Sequence, residues 1–207
     1  VGEHQESLKL TKRATYVNNG INMAELQEII DKTEKIEHPF TVYTLGRICH
    51  QKNPTLFNEI AESIPDVKFV WIGDGELREQ LTSKNIEITG WTDRSTAIRY
   101  AVNADVFLLP SRWEGLPISL LESMYMKKVC LVSNVIGNRD VVHNDKNGFV
   151  CEMAKEFVEV IEKCRNKNCQ ADIKRITDQA YQDVLNMYNT KVMAEQYKID
   201  YEKVIRE

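Results

Sequence analysis

Two acidic residues lie on either side of a predicted helix start in the sequence SRWEGLPISLLESM, residues 111–124. Glu114 precedes a Gly-Leu-Pro turn, and Glu122 follows eight positions later, in the first turns of the helix. Carboxylates only accept hydrogen bonds, so a pair of them suits the hydroxyl groups of a ribose or a hexose. Each residue taken alone is more simply a solvated acid. The apolar neighbours Leu121 and Met124 argue against that interpretation for Glu122.

The turn between the two acids offers a place for a phosphate. Gly115, Leu116 and Pro117 lead directly into the predicted helix at Ile118. Free backbone amides and the positive end of the helix dipole favour an anion at that point. A glycine also lets a ligand approach the backbone closely. We therefore expect a phosphate or a sugar to meet the amides of this turn.

A basic stretch, LGRICHQKNP at residues 45–54, follows the first predicted strand. Gly46 leaves space there, and Arg47 and Lys52 could converge on one anion, because guanidinium offers a planar fork and ammonium a mobile point charge. Together they could neutralise a diphosphate. The alternative is a pair of unrelated surface cations. The position after a strand weakens that alternative, since Glu114 is expected at the same edge of the sheet.

Two further strand ends carry weaker signals. Gly73 and Gly75 form a Gly-x-Gly turn, which could hold a phosphate or could be a tight turn with no ligand. A dinucleotide-binding loop would need a third glycine where this chain has Arg78, so a dinucleotide site is disfavoured. Gly90 and Trp91 end another strand. The indole could cover a base, although a core position is the commoner place for tryptophan.

Short continuous apolar segments predict the strands that must position these residues. They cover residues 40–45, 67–72, 86–89, 105–110, 129–133 and 149–151. Continuous apolar strands are typical of a sheet buried on both faces. Helical patterns alternate with them at residues 53–64, 76–84, 95–103, 118–128 and 157–164. The alternation predicts an α/β fold with a doubly wound, Rossmann-like parallel sheet, followed by helices at residues 171–187 and 191–206.

Composition excludes several classes of protein. The 27 basic and 31 acidic residues give a net charge of -4, which disfavours nucleic acid as a partner. No apolar run reaches the roughly 20 residues of a membrane helix. The five cysteines are odd in number and form no C-x-x-C pair, so reduced thiols in a cytosolic protein are favoured over disulfides or a zinc site.

Taken in order, these segments resemble the family 4 retaining glycosyltransferases of the GT-B fold. The resemblance depends on Gly46, Arg47 and Lys52, on the GDG turn, on the strand ADVFLLPS, on the two glutamates separated by seven residues, and on an NGF turn at residues 147–149. It covers residues 16–152. The chain departs from the family at residues 126–128, where Met-Lys-Lys replaces the usual glycine and proline before the next strand.

The resemblance implies a role for each motif. Arg47 and Lys52 would clamp the diphosphate of a nucleotide-sugar donor, and Glu122 would bind the ribose hydroxyls. Glu114 would hold the hydroxyls of the transferred sugar, so that Glu114, Arg47 and Lys52 are the expected catalytic residues. The remaining donor-binding positions are Gly46, Gly73, Gly75, Gly90, Trp91, Gly115, Leu116, Pro117 and Ile118.

The family also implies a chemistry and a cellular setting. A hexose would pass from a UDP-sugar or a GDP-sugar, with UDP favoured, to a glycan or lipid-linked acceptor in polysaccharide biosynthesis, with retention at the anomeric carbon. No obligatory metal is expected, because cations and a helix dipole would stabilise the leaving diphosphate. The protein is expected in the cytoplasm, with peripheral contact at the inner face of the membrane.

The resemblance further predicts the domain organisation. Residues 1–22 would be a remnant of an N-terminal acceptor domain, with its last helix at residues 1–13 and the interdomain linker at residues 16–22. Residues 23–188 would form the nucleotide-sugar-binding domain, and residues 189–207 a C-terminal helix. Such a fragment alone is expected to lack transferase activity. Two alternatives remain: a non-catalytic nucleotide-sugar-binding or scaffold subunit, and a nucleotide-sugar epimerase.

Overall fold

Six parallel strands form one sheet in the order β3-β2-β1-β4-β5-β6. The structure is a computed structural model that describes residues 16–206. The strands are β1 Thr41–Leu45, β2 Lys68–Ile72, β3 Ile86–Ile88, β4 Val106–Leu109, β5 Val129–Ser133 and β6 Phe149–Cys151. All six were predicted, each within one residue at either end. The order reverses direction between β1 and β4, as in a doubly wound sheet.

Eight helices accompany the strands in the described part of the chain. They are α1 Met23–Asp31, α2 Pro54–Ser63, α3 Arg94–Val102, α4 Ile118–Tyr125, α5 Ile136–Arg139, α6 Ala154–Arg165, α7 Gln170–Met187 and α8 Thr190–Arg206. Short 3-10 turns occur at His50–Lys52, Arg78–Gln80 and Lys167–Cys169. None of the helices in the described region is long and apolar enough to cross a membrane.

The predicted helix at residues 76–84 is wrong, because only the turn Arg78–Gln80 forms there. The side-chain oxygen of Asn58, on α2, accepts hydrogen bonds from the amides of Thr82 and Ser83 at 2.8 and 2.9 Å. Amides that are bonded to a neighbouring helix cannot continue a helix of their own. The segment therefore lies along α2 as an irregular chain.

Two further observations concern α1 and the start of β5. Helix α1 was not predicted, although Asn22 caps it by accepting a hydrogen bond from the amide of Glu25. The only fully buried side chain of this helix is that of Leu26, so its apolar pattern is weak. Strand β5 begins as predicted despite the unusual preceding sequence. Lys127 takes a left-handed conformation there, with φ of 55°, where glycine is usually favoured.

The sheet is covered on both faces by separate hydrophobic clusters. Along β4, Phe107 and Leu109 belong to one cluster, and Val106 and Leu108 belong to the other. Since successive side chains of a strand point to opposite faces, an uninterrupted apolar strand requires cover on both sides. Helices α1, α3 and α4 supply residues to the first cluster, and α2 and α6 supply the second. Helix α7 contributes to both, with Ala180 and Val184 in the first and Ile173 and Ile176 in the second.

The segment before α1 is a loop that meets the far end of the chain. Residues 16–22 contain no helix, and Ile21 forms an isolated bridge with Asn189, at the junction of α7 and α8. The amide of Ile21 donates to the carbonyl of Tyr188 at 3.0 Å. The predicted helix at residues 1–13 lies outside the described residues.

Candidate functional site

A buried ion pair joins the loops that follow β1 and β4. Lys52 ends the turn His50–Lys52, and its Nζ lies 2.6 Å from Oε1 of Glu114. The two side chains are 16% and 5% exposed. Ser111 donates its hydroxyl to the same carboxylate oxygen at 2.6 Å. The structure thus brings together one predicted cation and one predicted acid at the carboxyl edge of the sheet.

The neighbours of this pair hold both loops in place. The side-chain amide of Gln51 donates to the carbonyl of Trp113 at 3.0 Å, and the amide of Arg112 donates to the carbonyl of Gln51 at 2.8 Å. Asn53 donates to the carbonyl of Pro110 at 3.2 Å. Sequence reasoning missed these partners, because nothing local indicates which loops will meet across about sixty residues of chain.

Glu122 is buried on α4 and pairs with a residue that was not predicted. Its side chain is 3% exposed, and its Oε1 lies 2.6 Å from Nη1 of Arg94. Burial raises the pKa of Glu122, and the attraction of Arg94 opposes that rise. Arg94 is the first residue of α3, which follows β3. The predicted second acid therefore has its own cation, supplied by a different loop from Lys52.

Arg47 contacts neither of the two glutamates. Its Nε donates to Oε2 of Glu76 at 3.0 Å, and both side chains are more than half exposed. Glu76 follows β2, so this pair also lies at the carboxyl edge of the sheet. The predicted site residues are thus distributed over three ion pairs at one edge, and Lys52 and Glu114 alone among the four are in mutual contact.

The glycines after β1 and β2 are required by close contacts between loops. Gly73 has φ of 139°, and a Cβ added there would lie 2.2 Å from the carbonyl oxygen of Gly46. A Cβ added to Gly75 would lie 2.1 Å from the carbonyl oxygen of Ile48. Both distances are far shorter than van der Waals contact. Packing alone therefore accounts for the Gly-x-Gly turn, whether or not a phosphate binds there.

The turn that begins α4 is also tightly packed. Helix α4 starts at Ile118 after an extended Pro117, and no side chain caps its first turn. A Cβ added to Gly137, in α5, would lie 1.8 Å from the carbonyl oxygen of Gly115. Asn19 donates to the carbonyl of Leu116 at 3.1 Å. The turn is thus fixed from two sides, while its uncapped amides remain suited to an anion.

Two exposed tryptophans lie in loops at the same edge. Trp91 is 71% exposed, which excludes the alternative of a core position for its indole. It follows Gly90, which forms an isolated bridge with Gly73. Trp113 is 52% exposed, and its ring centroid lies 5.7 Å from that of His50. Both indoles can therefore contact a ligand in this region.

Metal ligands do not cluster in the described residues: no group of three or more histidine, cysteine, aspartate or glutamate side chains could hold an ion. The NGF turn has a structural role, since the Asn147 side chain donates to the carbonyl of Val141 at 2.9 Å and to Asp183 at 2.7 Å. The polar chemistry of the edge is therefore carried by the ion pairs and the start of α4.

Residues 26–183 match the sequence profile of the family described as glycosyl transferases group 1. A similar curated protein is the UDP-Gal:alpha-D-GlcNAc-diphosphoundecaprenol alpha-1,3-galactosyltransferase of Escherichia coli, with 33% identity over 180 residues, which cover 72% of this chain and 46% of that protein. Another is the GalNAc-alpha-(1->4)-GalNAc-alpha-(1->3)-diNAcBac-PP-undecaprenol alpha-1,4-N-acetyl-D-galactosaminyltransferase of Campylobacter jejuni, with 29% identity over 63% of this chain and 39% of that protein. The chain spans less than half the length of both relatives.

Solved structures share the fold. Anabaena HepE, in complex with UDP and glucose, matches with a TM-score of 0.76 and 15% identity over 91% of this chain and 56% of that chain. The C-terminal domain of a group 1 family protein, LpcC from Francisella tularensis, matches with a TM-score of 0.64 and 18% identity. This match covers 84% of the present chain and 96% of that domain. The described chain thus has the architecture of a single such domain.

Proposed function

Because this chain belongs to the group 1 family of glycosyl transferases, we propose that it binds the nucleotide-diphosphate sugar of a retaining hexosyltransferase at the carboxyl edge of its sheet. The observation that carries the proposal is the buried Lys52–Glu114 ion pair beside the start of α4. A desolvated cation and acid held together before any ligand binds provide opposite charges for the two ends of a sugar phosphate.

The proposed roles follow from the chemistry of each group. Lys52 turns from Glu114 to the donor phosphates, since its ammonium is a mobile point charge at the end of a flexible stem. Glu114 retains the hydrogen bond from Ser111 and accepts bonds from hydroxyls of the transferred hexose. Arg47 leaves its exposed partner Glu76 to join the diphosphate.

Phosphate binding is supported by the backbone as well as by side chains. The amides of Gly115 to Ile118 lie at the uncapped start of α4, where the helix dipole is positive. As the bond between the anomeric carbon and the phosphate oxygen breaks, negative charge grows on the diphosphate. Lys52, Arg47 and these amides stabilise that charge. The oxygen of the acceptor hydroxyl bonds to the anomeric carbon on the same face of the sugar, and its proton passes to the departing phosphate oxygen.

The nucleotide end of the donor lies toward β3 and α3 in this proposal. Glu122 accepts hydrogen bonds from the ribose, and Trp91 and Gly90 lie beside the base. UDP is the favoured nucleotide, because the Escherichia coli relative is named for UDP-Gal and the HepE crystal contains UDP. The acceptor is proposed to be a lipid-linked glycan, since both curated relatives are named for undecaprenol-linked substrates.

Domain organisation is part of the same proposal. Residues 23–188 bind the donor, residues 16–22 serve as a linker and residues 189–207 form the C-terminal helix. The acceptor binds to a separate N-terminal domain of the whole protein, so the present chain binds donors without transferring sugar. The hydrogen bond from Asn19 to the carbonyl of Leu116 supports a linker that contacts the proposed donor site directly.

Calorimetric titration of the chain with UDP, UDP-galactose and GDP tests the proposal. We expect saturable UDP binding with a dissociation constant between about 1 µM and about 1 mM, the usual range for enzyme substrates. Glu114→Gln should weaken binding of UDP-galactose more than binding of UDP, because Glu114 contacts the sugar. Glu87→Gln, in a surface ion pair with Lys68, is the matched control. A folded chain that binds none of the three nucleotides contradicts the proposal.

A further inference from the structure

Arg94 links three separate segments of the chain at the buried Glu122. Its Nη1 lies 2.6 Å from Oε1 of Glu122 on α4, and its Nε lies 3.0 Å from Oε1 of Glu25 on α1. Different nitrogens of one planar guanidinium thus contact acids on two helices. The Arg94 side chain is 43% exposed, whereas that of Glu122 is 3% exposed. Arg94 therefore lies between the buried acid and solvent.

The arginine is held at both ends. Asn22 accepts a hydrogen bond from the amide of Glu25 at 3.3 Å and donates to its Oε2 at 3.4 Å, which fixes the outer acid. Asp93 caps α3 by accepting from the amide and the hydroxyl of Thr96, at 3.0 and 2.6 Å. This cap fixes the backbone from which Arg94 projects. An arginine fixed in this way loses less side-chain entropy when it forms an ion pair.

Three titratable groups act on Glu122, and they come from α3, α1 and β1. Arg94 from α3 favours its charged form, whereas Glu25 from α1 and Tyr43 from β1 carry or could gain negative charge and disfavour it. Burial also disfavours the charged form. Arg94 is the one group of these three that stabilises the charged form of Glu122. Removal of Arg94 would therefore leave a buried carboxyl group that protonates more readily.

The contact also leaves room for a ligand. Arg94 touches one oxygen of Glu122, Oε1, at 2.6 Å. A carboxylate has two oxygens and about four acceptor positions. A single contact with Arg94 therefore leaves acceptor positions of Glu122 for other donors. Ribose hydroxyls are donors of the right kind.

We infer that Arg94, anchored by Glu25, is a positioning residue that orients Glu122 and keeps it charged, so that Glu122 can accept hydrogen bonds from the ribose hydroxyls of the donor. This inference depends on the proposed function, because it assigns the ribose to Glu122. It adds a residue that makes no contact with the nucleotide and controls binding through another side chain.

The first test compares UDP with 2′,3′-dideoxyuridine diphosphate, which lacks both ribose hydroxyls. The wild-type chain should prefer UDP by about tenfold or more, the discrimination expected for hydrogen bonds to a charged group. Glu122→Gln and Arg94→Gln should each reduce that preference to about twofold or less. Arg94→Lys retains the positive charge but loses the planar guanidinium, so it should restore part of the preference for UDP. A merely structural loss would lower affinity for both nucleotides equally.

The second test follows the same ratio of affinities with pH. Because only the ionised carboxylate accepts both hydroxyls, the preference for UDP should fall as Glu122 is protonated. Removal of Arg94 raises the pKa of Glu122 further, so Arg94→Gln should lose its remaining preference at a higher pH than the wild type does. The ratio cancels the titration of the diphosphate, which the two ligands share.

Control variants distinguish a failure of the inference from a failure of the proposed function. Arg99→Gln is matched, because Arg99 lies on α3 and donates to Ser95 at 3.2 Å, and it should retain the full preference for UDP. If Arg94→Gln does not fold by circular dichroism, Glu25→Gln removes the anchor and should reduce the preference severalfold. An unchanged preference in the folded Arg94 or Glu25 variants overturns the inference alone. Failure of the wild-type chain to bind UDP overturns the proposed function instead.

Discussion

Individual residues at the carboxyl edge of the sheet are held in ion pairs of very different burial. The Lys52–Glu114 pair is almost enclosed, whereas Arg47 and Glu76 are open to solvent. An exposed pair contributes about 0–1 kcal/mol to stability, while loss of one partner from a buried pair costs several times more. Burial of the two charges also costs desolvation free energy. This cost is consistent with a pair whose charges serve a ligand.

Replacement of Lys52 by methionine tests this view at the scale of the residue. Methionine keeps most of the stem and removes the charge, so we expect the affinity for UDP to fall by about 1–3 kcal/mol, the value of a charge-assisted hydrogen bond. Calorimetric titration measures the change. Lys68→Met is the matched control, because Lys68 pairs with Glu87 on the surface of the sheet. Equal affinities for Lys52→Met and the wild type would remove Lys52 from the site.

At the scale of elements, the site is shaped by helices packed closely enough to require particular residues. The short helix α5 lies against the turn before α4, with Gly137 facing the carbonyl of Gly115. Gly148, in the turn before β6, is also tightly packed, since a Cβ added there would lie 2.8 Å from the carbonyl oxygen of Cys130. Both glycines are packed against backbone atoms, but Gly148 precedes β6 at the amino edge of the sheet, away from the proposed donor site.

Alanine at each of these glycines should therefore separate stability from binding. Gly137→Ala and Gly148→Ala should both lower the free energy of unfolding by about 1–3 kcal/mol, because an added Cβ meets backbone atoms that cannot move freely. Urea unfolding measures that loss. Affinity for UDP should fall in the folded fraction of Gly137→Ala only, since that variant displaces the turn at Gly115. Loss of affinity in Gly148→Ala alone would contradict the assignment of the turn.

The cap of α3 gives a prediction about pH. Hydrogen bonds from the amide and hydroxyl of Thr96 lower the pKa of Asp93. A lowered pKa stabilises the fold above the ordinary aspartate pKa of about 3.8, and this stabilisation is lost as pH falls through the folded value. Asp93→Ala should therefore lower the urea midpoint at neutral pH and converge on the wild type in acid. Asp93→Asn, which still caps a helix, should lose less at neutral pH. A constant difference between Asp93→Ala and the wild type at all pH values would exclude a contribution from the charge.

For the molecule as a whole, packing on both faces of the sheet determines which thiols can react. Cys130, Cys151 and Cys164 are buried, whereas Cys49 and Cys169 are partly exposed. Burial raises the pKa of all three enclosed thiols, to about 12 for Cys151 and Cys164. Because the thiolate is the reactive form, buried and protonated cysteines should be inert.

Thiol titration should distinguish these two groups. With a chromogenic disulfide at neutral pH, we expect two thiols of the native chain to react and all five to react in denaturant. Mass spectrometry of the labelled native chain should place the label on Cys49 and Cys169. Cys49→Ser and Cys169→Ser should each remove one native equivalent. Rapid labelling of Cys130 in the native chain would show that the two-sided core opens readily.

Local sequence was enough to predict the sheet and the edge at which the site lies. Each strand is a short apolar run with turn residues at its ends, and its cover on both faces follows from that pattern alone. Since all strands of a parallel sheet end at the same edge, the loops containing Lys52 and Glu114 were expected at that edge. The family motifs around these residues are equally local, which is why they could be read without a structure.

Only the tertiary structure decided which side chains pair within that edge. Glu122 could have met Arg47 or Lys52, but it pairs with Arg94 at the start of α3 instead. The helix expected at residues 76–84 failed for a similar reason, because Asn58 binds its amides from another element. Such contacts join residues distant in the chain, and their energies depend on distance and burial after packing. Periodicity and spacing carry no information about either quantity.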